Sequence, residues 1–189
     1  MGLKDVIRGR KRSTAVARDR LFALSTARVT LEVELALKTA GVAAVIFKPM
    51  SAGEFTRAAS DLEQLLDSVA AEAGSKIERK NDSFGFEWLI VHDEDLEDLI
   101  TTANLVASEL SDAGFGPQLL AAAFRFSGAE HPVYFVYGFK TQSFWPFIPM
   151  GNGQERDNAQ ELELKAKLEK ELPIEQDLTR WLALYDAPI

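Results

Sequence analysis

The chain has 189 residues, 47% hydrophobic and 26% charged, which suits one globular domain with a full core. Because it contains no cysteine, disulfides, thiolate metal sites and thiol nucleophiles are excluded, a composition that suits a reducing cytoplasm. No apolar run approaches the roughly 20 residues that span a bilayer, and the N-terminus lacks the apolar core of a signal peptide. We therefore expect a protein that is neither integral to a membrane nor exported.

Charge is distributed unevenly along the chain. Residues 1–20 contain seven basic and two acidic side chains, a net charge of +5, so the total of −8 leaves −13 on residues 21–189. An acidic body repels the backbone of nucleic acids, and the basic segment has no aromatic residues that could stack on bases. The sequence therefore does not predict a nucleic-acid partner.

The first predicted element is a basic N-terminal arm, residues 1–14. Its apolar side chains recur at helical spacing among cations, as in a short amphipathic helix that lies on a membrane surface. Gly9 interrupts this helix, so its contact with anionic lipid is expected to be weak, and a solvated basic tail is the alternative. The residues assigned to the membrane-surface arm are Leu3, Lys4, Val6, Ile7, Arg8, Arg10, Lys11 and Arg12.

A short helix and two strands are predicted next. Residues 19–24 present three apolar side chains as a helix would, and residues 29–35 alternate apolar and polar side chains like a half-buried strand. Residues 42–47 are continuously apolar and follow a turn at residues 39–41. A hairpin would pair these two strands.

A long amphipathic helix is predicted between residues 51 and 73. Ser51 and Glu54 have the spacing of a capping box, apolar residues then recur every three or four positions, and Gly74 supplies the left-handed end. Residues 76–80 form a polar strand suited to a sheet edge. The next strand, residues 84–91, directs one face to the core through Phe84, Phe86, Trp88 and Ile90.

A second long helix is predicted after residue 92. Asp93 caps the start of this helix, and Gly114 ends it. The acidic residues after Asp93 interact favourably with the positive end of the helix dipole. Residues 119–126 then form a strand that is apolar on both faces except at Arg125.

The most aromatic part of the chain follows, at residues 131–150. Residues 133–139 are apolar on both faces, which predicts a central strand covered on both sides. Pro146 and Pro149 lack an amide hydrogen, so the next apolar run is an edge strand or an extended wrap. Its aromatic residues either cap the core or form a partner-binding patch, and the candidates for that patch are Phe144, Trp145 and Phe147.

The chain closes with a helical tail at residues 157–185. Residues 159–171 are strong helix formers although their leucines alternate as in a strand, and Leu178 to Tyr185 have the spacing of a last short helix. The predicted fold class is α+β, with a mostly antiparallel sheet and two long helices on one face. Its strand and helix order is ferredoxin-like, β-α-β-β-α-β with added strands, in a single domain of residues 15–189.

No catalytic, cofactor-binding or metal-binding residue is assigned. His92 and His131 lie at strand ends and belong to no metal motif, and four consecutive residues such as 92–95 cannot converge on one point. Gly151-Asn-Gly153 lacks the third glycine of a dinucleotide fingerprint and the Gly-Lys-Ser/Thr of a P-loop. We expect that the protein is not an enzyme and uses no cofactor.

Short motifs in a fixed order resemble one known family. They are Met1-Gly-Leu-Lys-Asp-Val, Asp112-Ala-Gly-Phe-Gly, Phe144-Trp-Pro-Phe-Ile-Pro, Arg156-Asp-Asn and Leu172-Pro-Ile-Glu-Gln-Asp-Leu-Thr-Arg-Trp. Over nearly the whole chain they resemble the PspA-associated protein PspAB family of actinobacteria and archaea, whose genes neighbour that of phage-shock protein A (PspA). The resemblance implies a cytoplasmic, non-enzymatic accessory or scaffold of the envelope-stress (phage-shock) response, peripheral at the inner membrane face. Its implied partner is PspA or another component of that system.

Two other functional classes stay open from the residues alone. One is a chaperone-like α+β module that binds a partner segment, and the other is a hydrolase whose residues converge only in space. A deep polar pocket would favour the hydrolase, whereas a shallow apolar groove or a dimer face would favour a binding module.

Overall fold

The computed structural model describes residues 20–48, 74–151 and 153–189, together with residues 64, 67, 68, 70 and 71. The five separate positions are helical, within the range of the predicted long helix. The basic arm and the rest of that helix lie outside the described residues.

An antiparallel sheet of six strands forms the centre of the described structure, with the order β2-β3-β1-β4-β5-β6. This confirms the predicted α+β class and the mostly antiparallel sheet. The ferredoxin-like order stays a prediction, because the connection from β1 to β2 lies largely outside the described residues. The strands are β1 Lys38–Phe47, β2 Lys76–Asn81, β3 Glu87–His92, β4 Leu119–Ser127, β5 Val133–Gly138 and β6 Ser143–Phe147.

Two helices of more than two turns accompany the described sheet. Helix α2, Leu96–Leu110, lies against β1, β3 and β4, and helix α3, Asn158–Leu168, lies against β6. Each begins at an aspartate whose carboxylate accepts from a backbone N–H of the first turn, Asp95 from Glu97 and Asp157 from Gln160. The shorter helical pieces are α1 Ala23–Thr26, the π-helical turns Thr30–Glu34 and Ser111–Phe115, and the 3₁₀ turns Gly116–Gln118 and Leu178–Arg180.

The predicted strand at residues 29–35 is wrong, since residues 28–34 are helical and residues 20–27 form helical pieces with turns at Phe22 and Ala27. Leu31 is buried in the core, whereas Val29 and Val33 are exposed, so the alternation of apolar residues was not a strand face. The predicted hairpin is wrong with it. Instead β1 starts at Lys38, and residues 39–41, predicted as a turn, belong to this strand. The pairing of β1 with β4 is irregular at this point.

Three details around β3 and α2 also differ from the prediction. Phe84 is not a core residue, because β3 begins only at Glu87 and Phe84 lies in the preceding turn. The N-cap of α2 is Asp95 rather than Asp93. The carboxylate of Asp93 instead accepts from the backbone N–H of Asp95. Gly114 has a φ of 96°, and the helical stretch ends near it as predicted.

The aromatic strands behave as predicted. All of β5 is buried between β4 and β6, and β6 is an edge strand. The outer edge of β6 is covered, since the Phe144 N–H donates to the Pro173 carbonyl (2.8 Å) and the Phe144 carbonyl accepts from the Glu175 N–H (2.8 Å). The predicted helix after residue 157 is confirmed as α3, but the last helix is reduced to the turn at Leu178–Arg180, and residues 181–189 are irregular.

Candidate partner-binding site

The three aromatic residues proposed for partner binding lie in the core. Trp145 and Phe147 face one side of the sheet and Phe144 faces the other, where its ring lies 4.9 Å from that of Tyr137. All three side chains are buried, as the core-capping interpretation predicts. They present no exposed patch, and a role of these residues in binding a partner stays a prediction.

Residues 181–189, which we call the C-terminal segment, lie across the face of the sheet that carries Trp145. The Trp145 indole N–H donates to the Leu182 carbonyl (3.0 Å), and the Tyr134 hydroxyl donates to the Ile189 carbonyl (3.0 Å). The ring of Tyr185 packs edge-on against Phe147 at 5.3 Å. Burial raises the pKa of the Tyr134 hydroxyl above its usual range, which favours the protonated form that donates this hydrogen bond.

An apolar cavity of about 150 Å³ lies between the C-terminal segment and the sheet. Phe84 and Leu182 stand at its rim, and their side chains are 61% and 56% exposed. The buried wall of the cavity is built mainly by Ile46, Trp88, Ala121, Val136 and Trp145. Two large exposed apolar side chains therefore flank an opening into an apolar interior, and we call this pair the Phe84–Leu182 rim.

Asp82 holds the rim in place. Its Oδ1 accepts from the backbone N–H groups of Phe84 (2.9 Å) and Phe86 (2.8 Å), and its Oδ2 accepts from the Trp88 indole N–H (2.9 Å). The Ser83 hydroxyl donates to the carboxylate of Asp186 and so connects this turn to the C-terminal segment. Phe84 is thus presented on a fixed turn rather than on a free loop.

A partly buried ion pair anchors the start of the C-terminal segment. The Arg156 Nε lies 2.9 Å from both carboxylate oxygens of Glu161, and its Nη1 donates to the Trp181 carbonyl (3.0 Å). The guanidinium also lies 5.0 Å from the centre of the Phe147 ring. Burial raises the pKa of Glu161 although Arg156 and the Ile148 N–H, which donates to Glu161 Oε1 (2.8 Å), oppose that shift.

A second cavity of about 200 Å³ lies on the opposite side of the sheet, between α2 and the end of β5. Its polar groups are amide, hydroxyl and ammonium groups from Asn104, Ser108, Ser111, Tyr137 and Lys140. Burial raises the pKa of Tyr137 to about 12, so this phenol is not a base at neutral pH. Sequence patterns did not single out these residues, because they come from separate elements.

The histidines remain apart from both cavities. His92 is exposed on the sheet, with its Nε2 3.9 Å from Glu78, and His131 lies in an open acidic cleft with Glu130 and Glu163. Within the described ranges no three histidine or carboxylate side chains are placed so that they could hold a metal ion, and no helix there is long and apolar enough to cross a bilayer. The prediction that the protein is not an enzyme is untested by this geometry.

The sequence missed both residues of the Phe84–Leu182 rim. It placed Phe84 in the core and Leu182 on a short docked helix, whereas the turn signal Asn81-Asp-Ser before Phe84 pointed to an exposed position. No local signal marks Leu182.

Neither the curated proteins nor the solved structures gave a match to the chain. A family model described as PspA associated protein B matches residues 1–189. The matched residues include β5, β6, α3 and the C-terminal segment. Since it covers the whole sequence, the chain belongs to the PspAB family, PspA associated protein B.

Proposed function

We propose that the protein is a non-enzymatic accessory of the PspA envelope-stress system and that it acts by binding PspA or a neighbouring component directly. The family description, which names PspA as the associated protein, supports this partner. The observation that carries the proposal is the Phe84–Leu182 rim, because apolar side chains held at the mouth of an apolar cavity are typical of a protein interface.

The chemistry of the rim supports binding rather than catalysis. A partner would insert one apolar side chain into the cavity and cover Phe84 and Leu182, while the aromatic wall is already held by hydrogen bonds from Trp88 and Trp145. Such pre-organisation lowers the entropic cost of association. An apolar cavity of this kind supports the binding module over the hydrolase alternative.

In this proposal the protein works in the cytoplasm, and residues 1–14 hold it at the inner face of the membrane. The support is the net charge of +5 on residues 1–20 and the amphipathic spacing of Leu3, Val6 and Ile7. The acidic body would remain clear of an anionic bilayer, because like charges repel.

Calorimetric titration of purified PspA tests the proposed interface. Changing Phe84 and Leu182 together to serine should weaken the complex at least about 30-fold, the effect of losing roughly 2 kcal/mol at an interface hot spot. The matched control changes Leu162 and Leu178 to serine, since both are exposed leucines that do not line the rim cavity. Circular dichroism checks that the fold is retained.

Two results would contradict the proposal. If wild-type protein does not bind PspA, the partner is wrong. If the rim variant binds as tightly as the control variant, the interface lies elsewhere on the protein.

A further inference from the structure

The helical region of residues 20–34 has a buried side and an exposed side, and the exposed side carries two large apolar residues, Val29 and Val33. One side packs into the core through Leu21, Leu24, Ala27 and Leu31, which are buried. The other side carries Phe22, which is partly buried against the core, and the exposed residues Thr26, Val29 and Val33. We call these four residues the outer stripe.

The outer stripe has the spacing of a helix–helix seam. Its residues follow each other at intervals of four, three and four, the sequence spacing of the a and d positions of a coiled coil, with Val33 in the π-helical turn. Val29 and Val33 are nevertheless 69% and 77% exposed. A surface helix normally keeps only its core side apolar, so a second apolar face indicates an interface.

The local backbone holds this face outward. The Leu35 N–H donates to the Thr30 carbonyl (3.1 Å), which closes a π-helical turn, and the Leu37 N–H donates to the Leu31 carbonyl (2.8 Å). Single π-helical turns are rare and recur at functional sites. Both Leu31, which is buried, and Val33, which is exposed, belong to this turn.

The border of the outer stripe is acidic. Glu32 lies on one side, and on the other side the Thr30 hydroxyl donates to the carboxylate of Glu171 (2.8 Å). Glu34 is exposed nearby, and Arg28 binds both Glu32 and Asp95. Four carboxylates against one guanidinium leave a net charge of −3 around the stripe.

We propose that the outer stripe binds an amphipathic α-helix of a protein partner, one whose apolar side chains repeat every three to four residues and are flanked by lysine or arginine. The apolar spacing selects a helix, and the acidic border selects basic flanks. A second copy of this chain is disfavoured, because two such faces would bring Glu32, Glu34 and Glu171 against their own equivalents.

This surface is separate from the Phe84–Leu182 rim. Helix α1 packs on α2. Ala107 of α2 and Tyr137 of β5 line the second cavity, whereas Val136, the residue before Tyr137, lines the cavity of the rim. Adjacent strand residues face opposite sides of a sheet. The inference therefore goes beyond the proposed function and describes a second docking face, on the other side of the protein.

Two synthetic helical peptides of three heptads are the probes. Both carry leucine at positions a and d, and one has lysine and the other glutamate at positions e and g. Fluorescence anisotropy with the full-length protein should detect binding of the lysine peptide and at least 10-fold weaker binding of the glutamate peptide. Changing Val29 and Val33 together to serine should weaken binding of the lysine peptide at least 10-fold. The variant with serine at Leu162 and Leu178 should bind the lysine peptide as tightly as wild type does.

Each alternative occupant gives a distinct result. The proposal would be overturned if the two serine variants bound the lysine peptide with the same affinity. It would also be overturned if wild-type protein bound the lysine and glutamate peptides with the same affinity. Dimerisation in analytical ultracentrifugation that disappears in the Val29 and Val33 variant would show that a second copy occupies the stripe. Because PspA is absent from this experiment, its outcome is independent of the PspA titration.

Discussion

A close backbone contact locks the end of the first helical region onto the β4–β5 turn. Ala36 adopts a left-handed conformation with a φ of 54°, and Gly128 has a φ of 123°. A Cβ atom added to Gly128 would lie 2.0 Å from the Ala36 carbonyl oxygen. Only glycine can occupy position 128 without displacing the backbone of residue 36.

Gly128→Ala should therefore lower the free energy of unfolding by about 2–4 kcal/mol, because an unfavourable φ and an overpacked contact add. Gly151→Ala is the matched control, since Gly151 has a φ of 62° but no atom within 4 Å of an added Cβ. That control should cost only about 1 kcal/mol. Urea unfolding measures the free energy of unfolding of both variants. If both lose the same amount, the backbone at Ala36 can move to accommodate the added Cβ atom.

Strand β5 is the element on which both layers of the core depend. Phe135 is fully buried opposite Phe124 of β4 and Pro146 of β6, and its ring packs at right angles to Phe126 with the centroids 5.4 Å apart. The neighbouring side chains Tyr134 and Val136 point to the face that the C-terminal segment covers. Loss of a ring from β5 opens a cavity that strands on both sides cannot close.

We expect Phe135→Ala to lower the free energy of unfolding by about 3–5 kcal/mol. The matched control is Phe84→Ala, which removes the same ring from an exposed turn and should cost about 1 kcal/mol or less. Chemical denaturation monitored by tryptophan fluorescence gives both values. A midpoint for Phe135→Ala close to that of the control would mean that β5 is not held as the structure shows.

The whole molecule combines a basic arm with an acidic body, and the proposed membrane contact depends on that asymmetry. The arm has a few apolar groups and five basic residues among residues 1–14, so its affinity for anionic lipid comes largely from charge. Such an attraction decreases as salt shortens the Debye length.

Sedimentation with vesicles rich in phosphatidylglycerol should pellet the full chain at low salt, and substantially less of it at about 150 mM salt. A chain without residues 1–14 should remain in the supernatant. The control keeps the arm and changes four exposed basic residues of the body to glutamine, namely Lys76, Lys80, Lys167 and Arg180. If the full and shortened chains pellet to the same extent, the arm does not bind the protein to the membrane.

The sequence by itself determined the α+β class, β4, β5, β6, α2 and α3, as well as the family. Each element has a dominant local signal: continuous apolar character for the strands, prolines for the edge, apolar residues at helical spacing for α2, and strong helix formers for α3. Local and tertiary preferences agree there, so the pattern was sufficient.

Only the tertiary structure decided the helical state of residues 29–34 and the exposure of Phe84. Val29, Leu31 and Val33 alternate as in a strand, but burial of Leu31 together with Leu24 and Ala27 favours the helical state. Trp145 is likewise buried because Leu182, 37 residues later, returns to accept its indole hydrogen. Which apolar residues remain exposed depends on contacts between distant parts of the chain, and local periodicity carries no information about those contacts.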